Sequence, residues 1–417
     1  MSKVVNIPQL RFPEFSDMWI ETKVGDFISL LTDYHANGSY EKLKENVTLL
    51  DKKDFSIMVR TTNLSNNDFS KNLLYIDENA YHFLKKSKVY ENDIVINKIA
   101  DAGATYLIPE LNMPASLGMN LFLLRIIKDV SSRFAFISIK CSEQRLRLLA
   151  SGTSTKTITK EDVRGFKVFL PTKQEQQKIA AFLTAVDNKI EQLIKKQELL
   201  GEYKKGLMQQ IFSQAIRFKA DDGSDFPNWE EKKLGDVVST PVSDGPHLTP
   251  KFVKQGVPFL SVNNLVESKI DFSNVRYISI DDHLVFSKKC KPKKGDVLLG
   301  KAASVGKVAF VETDVEFNIW SPIAMIRPGN SNFSKYIYYC FQTRFILNQI
   351  SKFTNSSSQG NIGMGDINKI IIKLPNKLEQ TKIANLLSSI DSKIEQVGKQ
   401  LRESKQFKKA LLQQMFV

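Results

Sequence analysis

Two segments of the chain carry the same periodic pattern of apolar positions. Spacings of four and three residues alternate in both, first at Ile179, Leu183, Val186, Ile190 and Leu193 and again at Ile383, Leu387, Ile390, Ile394 and Val397. Such alternation is typical of a coiled-coil seam. The pattern predicts long helices over residues 171–214 and 375–417. A narrow stripe needs a partner helix, and the other helix is the nearest candidate. The alternative is that each stripe packs on its own globular region.

The two stripes belong to a repeat that extends over most of the chain. LPTKQEQQKIAAFLTAVDNKIEQ, which begins at Leu170, recurs as LPNKLEQTKIANLLSSIDSKIEQ, which begins at Leu374. Farther upstream, DIVINKIADAG at residues 93–103 matches DVLLGKAASVG at residues 296–306. A unit of roughly 200 residues is far longer than a solenoid repeat, so the pattern predicts duplication of a whole module.

The regions that precede the helices predict mixed modules, and the predicted fold class is α+β. β-branched and aromatic runs such as DIVIN, LFLLRII, VPFLSV and DVLLG predict strands, whereas residues 132–150 and 334–350 each predict one amphipathic helix. The expected domains are a first module at residues 1–170, a first helix at 171–214, a second module at 215–374 and a second helix at 375–417.

Connectivity favours antiparallel pairing of the helices, because the chain runs module, helix, module, helix. Such pairing would place the modules at opposite ends of a spacer, related by a pseudo-two-fold axis. Arg217-Phe218 after the first helix corresponds to Arg11-Phe12 near the chain start, so the N-terminal residues complete the second repeat. We therefore expect the N- and C-terminal residues to lie close together.

The charge balance indicates a polyanionic partner. Lys and Arg number 59 against 45 Asp and Glu, for a net charge of +14. The excess is spread over both modules and both helices, which favours a long footprint on duplex DNA over one tight anion pocket. A basic protein without such a partner is the alternative.

No apolar run approaches a membrane span of about 18 residues. Three distant cysteines and the absence of a secretory leader favour the cytoplasm.

The sequence carries no motif typical of catalysis or of cofactor binding. The four histidines and three cysteines lack HExxH and CxxC spacing, which argues against a zinc site. GKAASVGK at residues 300–307 has five residues between its glycines where a phosphate loop needs four, so it predicts a turn. No two prolines are adjacent, although the base-holding loop of adenine methyltransferases needs such a pair. We expect a protein that is not an enzyme and binds neither metal nor cofactor.

These features resemble the specificity subunit (HsdS) of type I restriction-modification systems. The resemblance rests on the Leu-Pro-x-x-x-Glu-Gln-x-x-Ile opening found twice, on SDGPHLTP at residues 243–250, and on the paired units. It implies that each module is a target recognition domain for one half of a split double-stranded DNA sequence and that the helices set the gap. It also implies a non-catalytic subunit that recruits two modification subunits and, through them, restriction subunits. S-adenosylmethionine and adenine methylation would belong to the modification subunits.

Two other functions stay open at this point. One is a coiled-coil scaffold that binds proteins alone, and the other is a fused modification enzyme, against which the absent methyltransferase motifs argue.

Comparison of the modules with each other suggests candidate DNA contacts. Shared positions are expected to serve folding, phosphate contact or docking, and divergent positions to read bases. Lys98 and Lys301 are shared and are phosphate candidates, with a structural lysine as the alternative. Candidates for base contact are polar residues of the loop that ends each module, and Asn63 and Asn264 with their flanking positions. The loop candidates are Lys156, Thr157, Gln359 and Asn361.

Overall fold

The computed structural model describes residues 7–152, 155–329, 331–354 and 360–416. The chain divides into two compact units, the first formed by Met1–Leu193 with Gln400–Val417 and the second by Ile194–Lys399. Each unit therefore combines one module with one half of each long helix.

The first unit is built on two four-stranded sheets and one two-stranded sheet. Its strands are β1 (Ile20–Lys23), β2 (Ile28–Asp33), β3 (Ser56–Val59), β4 (Leu74–Ile76), β5 (Lys88–Val89), β6 (Ile94–Asn97), β7 (Thr105–Leu107), β8 (Ala115–Leu117), β9 (Leu121–Ile126) and β10 (Lys167–Leu170). One sheet has the order β2-β9-β6-β7 and is antiparallel throughout. The other has the order β4-β3-β8-β5, with β3 parallel to β8, and β1 pairs with β10.

Short helices connect these strands, and one long helix follows them. They are α1 (Tyr40–Asn46), α2 (Thr61–Ser65), α3 (Glu78–Phe83), α4 (Ser132–Cys141), α5 (Glu143–Leu148), α6 (Lys160–Gly165) and α7 (Lys173–Phe212), the last of which continues into the second unit.

The second unit repeats this topology. Its strands are β11 (Glu230–Lys233), β12 (Val238–Asp244), β13 (Val257–Leu260), β14 (Leu265–Val266), β15 (Lys269–Ile270), β16 (Arg276–Ile278), β17 (Val297–Gly300), β18 (Val308–Phe310), β19 (Asn318–Ile319), β20 (Ile323–Pro328) and β21 (Ile371–Leu374). Its helices are α8 (Ile280–Ser287), α9 (Ser331–Cys340), α10 (Arg344–Phe353), α11 (Met364–Lys369) and α12 (Lys377–Met415).

The sheets of the second unit match those of the first in order and direction. The order β12-β20-β17-β18 corresponds to β2-β9-β6-β7, and β16-β13-β19 corresponds to β4-β3-β8, including the parallel pair. The predicted strand sequences lie in β6, β9, β13 and β17. Duplication of a mixed α and β module is therefore confirmed.

The prediction of one amphipathic helix over residues 132–150 and one over 334–350 is wrong, because each segment holds two helices. In the second unit, α9 ends at Cys340, and the Thr343 hydroxyl accepts a hydrogen bond from the Ile346 amide that caps α10. A threonine at this position satisfies a free backbone amide and starts a new helix. In the first unit, Ser142 separates α4 from α5.

Apolar contacts show that the long helices pack antiparallel within each unit. In the first unit, Ile179 and Leu183 near the start of α7 share a hydrophobic cluster with Met415 near the end of α12. In the second unit, Ile211 near the end of α7 shares a cluster with Ile383 near the start of α12. The same clusters contain module residues, so each stripe packs on its own module and on the other helix together. Residues of the predicted seam are buried, apart from Val186 and Ile394, which are half-buried.

One ion pair between the helices occurs twice. Asp187 on α7 pairs with Lys408 on α12 in the first unit. In the second unit, Lys204 Nζ on α7 lies 2.6 Å from Asp391 Oδ1 on α12. In the repeat, Asp187 corresponds to Asp391, and Lys408 corresponds to Lys204. A duplicated helix that pairs with its own copy produces this pattern.

The two ends of the described chain meet within the first unit. The Leu10 amide donates a hydrogen bond of 3.0 Å to the Gln414 carbonyl. The rings of Trp19 and Phe416 are in edge contact, with their centroids 6.1 Å apart. The predicted closeness of the N- and C-terminal residues is therefore confirmed.

Within the described ranges, no helix combines the length and the apolar character that crossing a membrane requires. The cysteines Cys141, Cys290 and Cys340 carry free thiols. Burial raises the pKa of Cys290 to about 11, so this thiol stays protonated near neutral pH.

Candidate nucleic-acid interface

A buried glutamate from the repeated motif joins the start of each unit to its long helix. In the first unit, the fully buried Glu175 accepts hydrogen bonds of 2.7 Å from both Arg11 Nε and Arg11 Nη2. It also accepts one of 3.3 Å from Trp19 Nε1. These bonds raise the pKa of the Arg11 guanidinium. A buried carboxylate requires such partners, because an unpaired buried charge is very unfavourable.

The second unit has the same arrangement. Glu379 accepts hydrogen bonds from Arg217 Nε at 3.1 Å, from Arg217 Nη2 at 2.8 Å and from Trp229 Nε1 at 3.1 Å. The glutamine of the motif is structural as well, since Gln176 Nε2 and Gln380 Nε2 each donate to a proline carbonyl five residues earlier, at 2.9 Å. The sequence signature that carries the resemblance is thus an anchor between module and helix.

Each module also has a lysine–aspartate pair at one end of its antiparallel sheet. Lys98 follows β6, and its Nζ lies 3.6 Å from Oδ2 of Asp33, the last residue of β2. Lys301 follows β17, and its Nζ lies 3.1 Å from Oδ2 of Asp244, the last residue of β12. The Lys98 side chain is 32% exposed, whereas that of Lys301 is 9% exposed. The burial of Lys301 against Asp244 favours the alternative of a structural lysine over the predicted phosphate contact.

The aspartate of the second module collects positive charge. Asp244 Oδ1 accepts a hydrogen bond of 2.5 Å from Lys289 Nζ, in addition to the pair with Lys301. Burial raises the pKa of Asp244, but the hydrogen bonds from the two lysines outweigh burial, so its pKa lies below the ordinary value. The next residue must be glycine, because a Cβ at Gly245 would lie 1.6 Å from the Ile319 carbonyl oxygen. These contacts explain the start of the SDGPHLTP segment.

The residues after each lysine form the same turn in both modules. Ala100 and Ala303 have φ values of +67° and +62°, and Gly103 and Gly306 have values of +89° and +90°. Two non-glycine residues in the left-handed region at equivalent positions show that the turn is tightly determined by its surroundings. The prediction that GKAASVGK forms a turn is confirmed.

The loop that ends each module packs beside this turn. Ile99 and Thr157 form a β-bridge in the first module, and Ala302 and Asn361 form its equivalent in the second. The structure thus brings predicted site residues together, Thr157 beside Lys98 and Asn361 beside Lys301. Lys156 and Asn361 are exposed, and Thr157 is half-buried. Gln359 lies outside the described residues.

The structure places Asn63 and Asn264, two of the predicted base contacts, inside their modules. Both are buried, with exposed fractions of 3% and 7%. Asn63 Oδ1 accepts a hydrogen bond from the Arg60 amide at 3.2 Å, and Asn264 Oδ1 accepts one from the Ser261 amide at 3.0 Å. Asn264 Nδ2 also donates to two backbone carbonyls, at 3.1 Å each. Their amide groups hold the chain after β3 and β13, which favours a structural role over the predicted base contact.

Sequence reasoning named the positions that flank Asn63, and the structure places them on a groove that it did not foresee. The groove has a volume of about 410 Å³ and is lined by Arg60, Thr61, Thr62 and Asn120 together with apolar and aromatic residues. It adjoins the lysine turn, because the Lys98 amide donates to the Asn120 carbonyl at 2.8 Å. The difference between the modules at the positions that flank Asn63 and Asn264 can be seen in the sequence. That residues 60–62 line the same groove as Asn120 depends on how the strands pair, which the sequence does not reveal.

Among the described residues, no group of three or more His, Cys, Asp or Glu side chains has the geometry to hold a metal ion. The polar and basic groups on the module surfaces can instead donate hydrogen bonds to phosphate oxygens and base edges.

Comparison with known proteins places the two repeats in one family. The model for the type I restriction modification DNA specificity domain matches residues 18–200 and again residues 227–403. The chain is 26% identical over 297 residues to the type I restriction enzyme MjaVIII specificity subunit of Methanocaldococcus jannaschii, an alignment that covers 68% of this chain and 69% of the relative. It is 20% identical over 337 residues to the type I restriction enzyme EcoBI specificity subunit of Escherichia coli, with 76% and 70% covered.

The fold is also found among solved structures. The crystal structure of the type I restriction-modification S subunit from M. genitalium matches with a TM-score of 0.61 at 16% identity, over 98% of this chain and 99% of that one.

Proposed function

Since the chain belongs to the family of type I restriction-modification DNA specificity domains, we propose that residues 1–170 and 215–374 are its two target recognition domains, each reading one half of a bipartite duplex. The chain is a specificity subunit, and such subunits are not catalytic. The observation that carries the division is the duplication itself, because two modules of equal topology with divergent loops suit two different half-sites.

The long helices set the gap between half-sites in this proposal. α7 has 40 residues and α12 has 39, and a helix of that length extends about 60 Å at 1.5 Å per residue. Half-sites on one face of a duplex lie about 34–36 Å apart for each helical turn. A stiff pair of helices would therefore admit only certain spacings and rotational phases.

Two modification subunits are the proposed direct partners, and they would supply S-adenosylmethionine, adenine methylation and contact with restriction subunits. Support comes from a groove present in both units. In the first unit it is lined by Lys409, Gln413 and Phe416 among others, and in the second by the equivalent Lys205, Gln209 and Phe212. A partner that recognises these shared residues would bind both units, which gives two copies. We also propose that the protein is cytoplasmic, because DNA is the expected ligand and the cysteines carry free thiols.

Several predicted DNA contacts stay in this proposal. Lys98 is the phosphate contact of the first module, and Lys156, Thr157 and Asn361 face the ligand from the loops that end the modules. Their support is the exposure of Lys156 and Asn361 beside the lysine turns. Gln359 is retained as a prediction from sequence alone.

The test is to map methylated adenines in a host that expresses the chain with its modification subunit. The expected result is methylation at a two-part motif with a fixed gap, absent when the modification subunit is expressed alone. Stable association with protein partners without any sequence preference in methylation would instead support the coiled-coil scaffold. Methylation by this chain alone with S-adenosylmethionine would support a fused modification enzyme.

A further inference from the structure

We propose that Arg60 in the first module and Arg276 in the second are specificity-determining residues, each reading a guanine in its own half-site. The inference rests on the proposed DNA-reading function and names residues for it. Arginine donates two parallel hydrogen bonds to guanine O6 and N7, which is the commonest specific contact in the major groove. Such a contact needs a guanidinium whose donors are not already bound to a carboxylate.

Arg60 meets this requirement in the first module. It is half-buried and lines the groove described above, together with Thr61, Thr62 and Asn120. Its Nη2 donates to the Asn72 carbonyl at 2.6 Å, which fixes the plane of the guanidinium. No carboxylate of the described residues lies within ion-pair distance of it. A basic group held in place beside hydroxyl and amide side chains suits the polar edge of a base pair.

Arg276 meets the requirement in the second module by different means. Its guanidinium carbon lies 4.2 Å from the ring centroid of Phe252 and 5.5 Å from that of Trp320. The side chain is exposed, and within the described part of the chain it pairs with no carboxylate. Stacking on two rings restricts the rotamers of a long side chain while leaving its in-plane donors free.

The two arginines occupy the same corner of equivalent sheets. Leu74 of β4 pairs with Met58 of β3, and Arg276 of β16 pairs with Phe259 of β13. Arg60 follows β3 directly. The arginine therefore comes from the central strand in one module and from its neighbour in the other.

The surrounding backbone at this corner is the same in both modules. The Gly118 amide donates to the Val59 carbonyl at 2.8 Å, and the Trp320 amide donates to the Leu260 carbonyl at 2.9 Å. The backbone at the corner is therefore the same in both modules, whereas the arginine lies in a different place in each. Two modules that read guanine at different positions require such an arrangement.

Other arginines within the same modules serve the fold and provide the contrast. Arg125 Nη2 lies 2.7 Å from Asp93 Oδ2, and Arg327 Nη2 lies 2.7 Å from Asp296 Oδ2. These pairs are repeated at equivalent positions and bind buried aspartates. The unshared, carboxylate-free arginines at the corner are thus distinct from the structural ones.

The experiment uses the full chain in complex with its modification subunit and compares Arg60→Lys and Arg276→Lys with Arg145→Ala. Lysine keeps the charge but replaces the planar fork of donors with a single flexible ammonium group, which holds guanine O6 and N7 less specifically. Arg145 contacts Ser142 and the Lys167 carbonyl, away from the corner, and its variant serves as a control for loss of a positive charge. Methylome mapping measures the motif, and thermal unfolding measures folding of each variant.

We expect Arg60→Lys to relax one guanine position in one half-site by about 10- to 100-fold and to leave the other half-site unchanged. Arg276→Lys should relax a position in the other half-site, and Arg145→Ala should leave the motif intact. An unchanged motif in folded arginine variants overturns the inference, as does an equal loss across all sequences. Absence of any motif with the wild-type chain rejects the proposed function itself.

Discussion

Removal of the buried Glu175 carboxylate should strongly destabilise the first unit. In Glu175→Ala, Arg11 loses two hydrogen bonds of 2.7 Å and Trp19 loses its indole partner. Breaking a buried ion pair by removing one partner costs about 3–5 kcal/mol. The Arg11 side chain is 12% exposed and recovers little hydration, so we expect at least about 3 kcal/mol. At about 2–4 °C per kcal/mol for a unit of this size, Tm falls by about 6–12 °C.

Calorimetry measures the shift, and hydrogen exchange locates it. Glu175→Ala should lose amide protection within the first unit, and Glu379→Ala should lose it within the second. The matched control is Lys167→Ala, which breaks a pair with Glu21 whose side chains are 51% and 47% exposed. Such an exposed pair contributes under about 1 kcal/mol.

A similar Tm for Glu175→Ala and Lys167→Ala would refute the reasoning, because it would mean that the buried pair contributes no more than a surface pair. A double replacement, Arg11→Met with Glu175→Leu, adds a second check. It removes both charges and replaces them with apolar groups, so it should recover much of the lost stability.

Three further predictions follow from the helices, the chain ends and the charges. Deleting one or two turns of α7 should change the gap of the methylated motif or abolish it, and an unchanged motif would contradict the spacer role. A permutant that joins the ends near Leu10 and Gln414 and opens the chain within residues 213–229 should fold with a Tm close to that of the wild type, whereas its aggregation would count against the closed arrangement. The lowered pKa of Asp244 stabilises the second unit above about pH 4 and ceases to do so as the pH falls through that lowered pKa, so Asp244→Asn should flatten the acid limb of the unfolding curve.

The features that sequence predicted correctly are periodic or local. The stripes predicted two long helices because a helix that pairs with another must repeat its apolar residues every three or four positions. The equivalence of Arg11-Phe12 and Arg217-Phe218 predicted that the chain ends meet. The hydrogen bond between the Leu10 amide and the Gln414 carbonyl joins them. Both inferences used order along the chain and needed no knowledge of how strands pair.

The failures involve competition between local and tertiary effects. Apolar spacing continues across residues 334–350, but Thr343 satisfies the Ile346 amide and starts a new helix there. Lys98 and Lys301 occupy the same turn, and each pairs with an aspartate that a second lysine also contacts. The Lys98 side chain is nevertheless 32% exposed and that of Lys301 9% exposed, so one sequence pattern gives two exposures. The sequence does not distinguish a buried asparagine from an exposed one, so Asn63 and Asn264 were candidates for base contact although both are buried.

The internal repeat separates two kinds of constraint within one chain. Glu175 and Glu379 must keep their arginine and tryptophan partners, because a buried carboxylate without them would destabilise either unit. The corner that holds Arg60 or Arg276 has no such requirement, since its frame consists of backbone hydrogen bonds that tolerate different side chains. Under the proposed role of these two arginines, we therefore expect substitution at the corner to change what a module binds and to leave its fold intact.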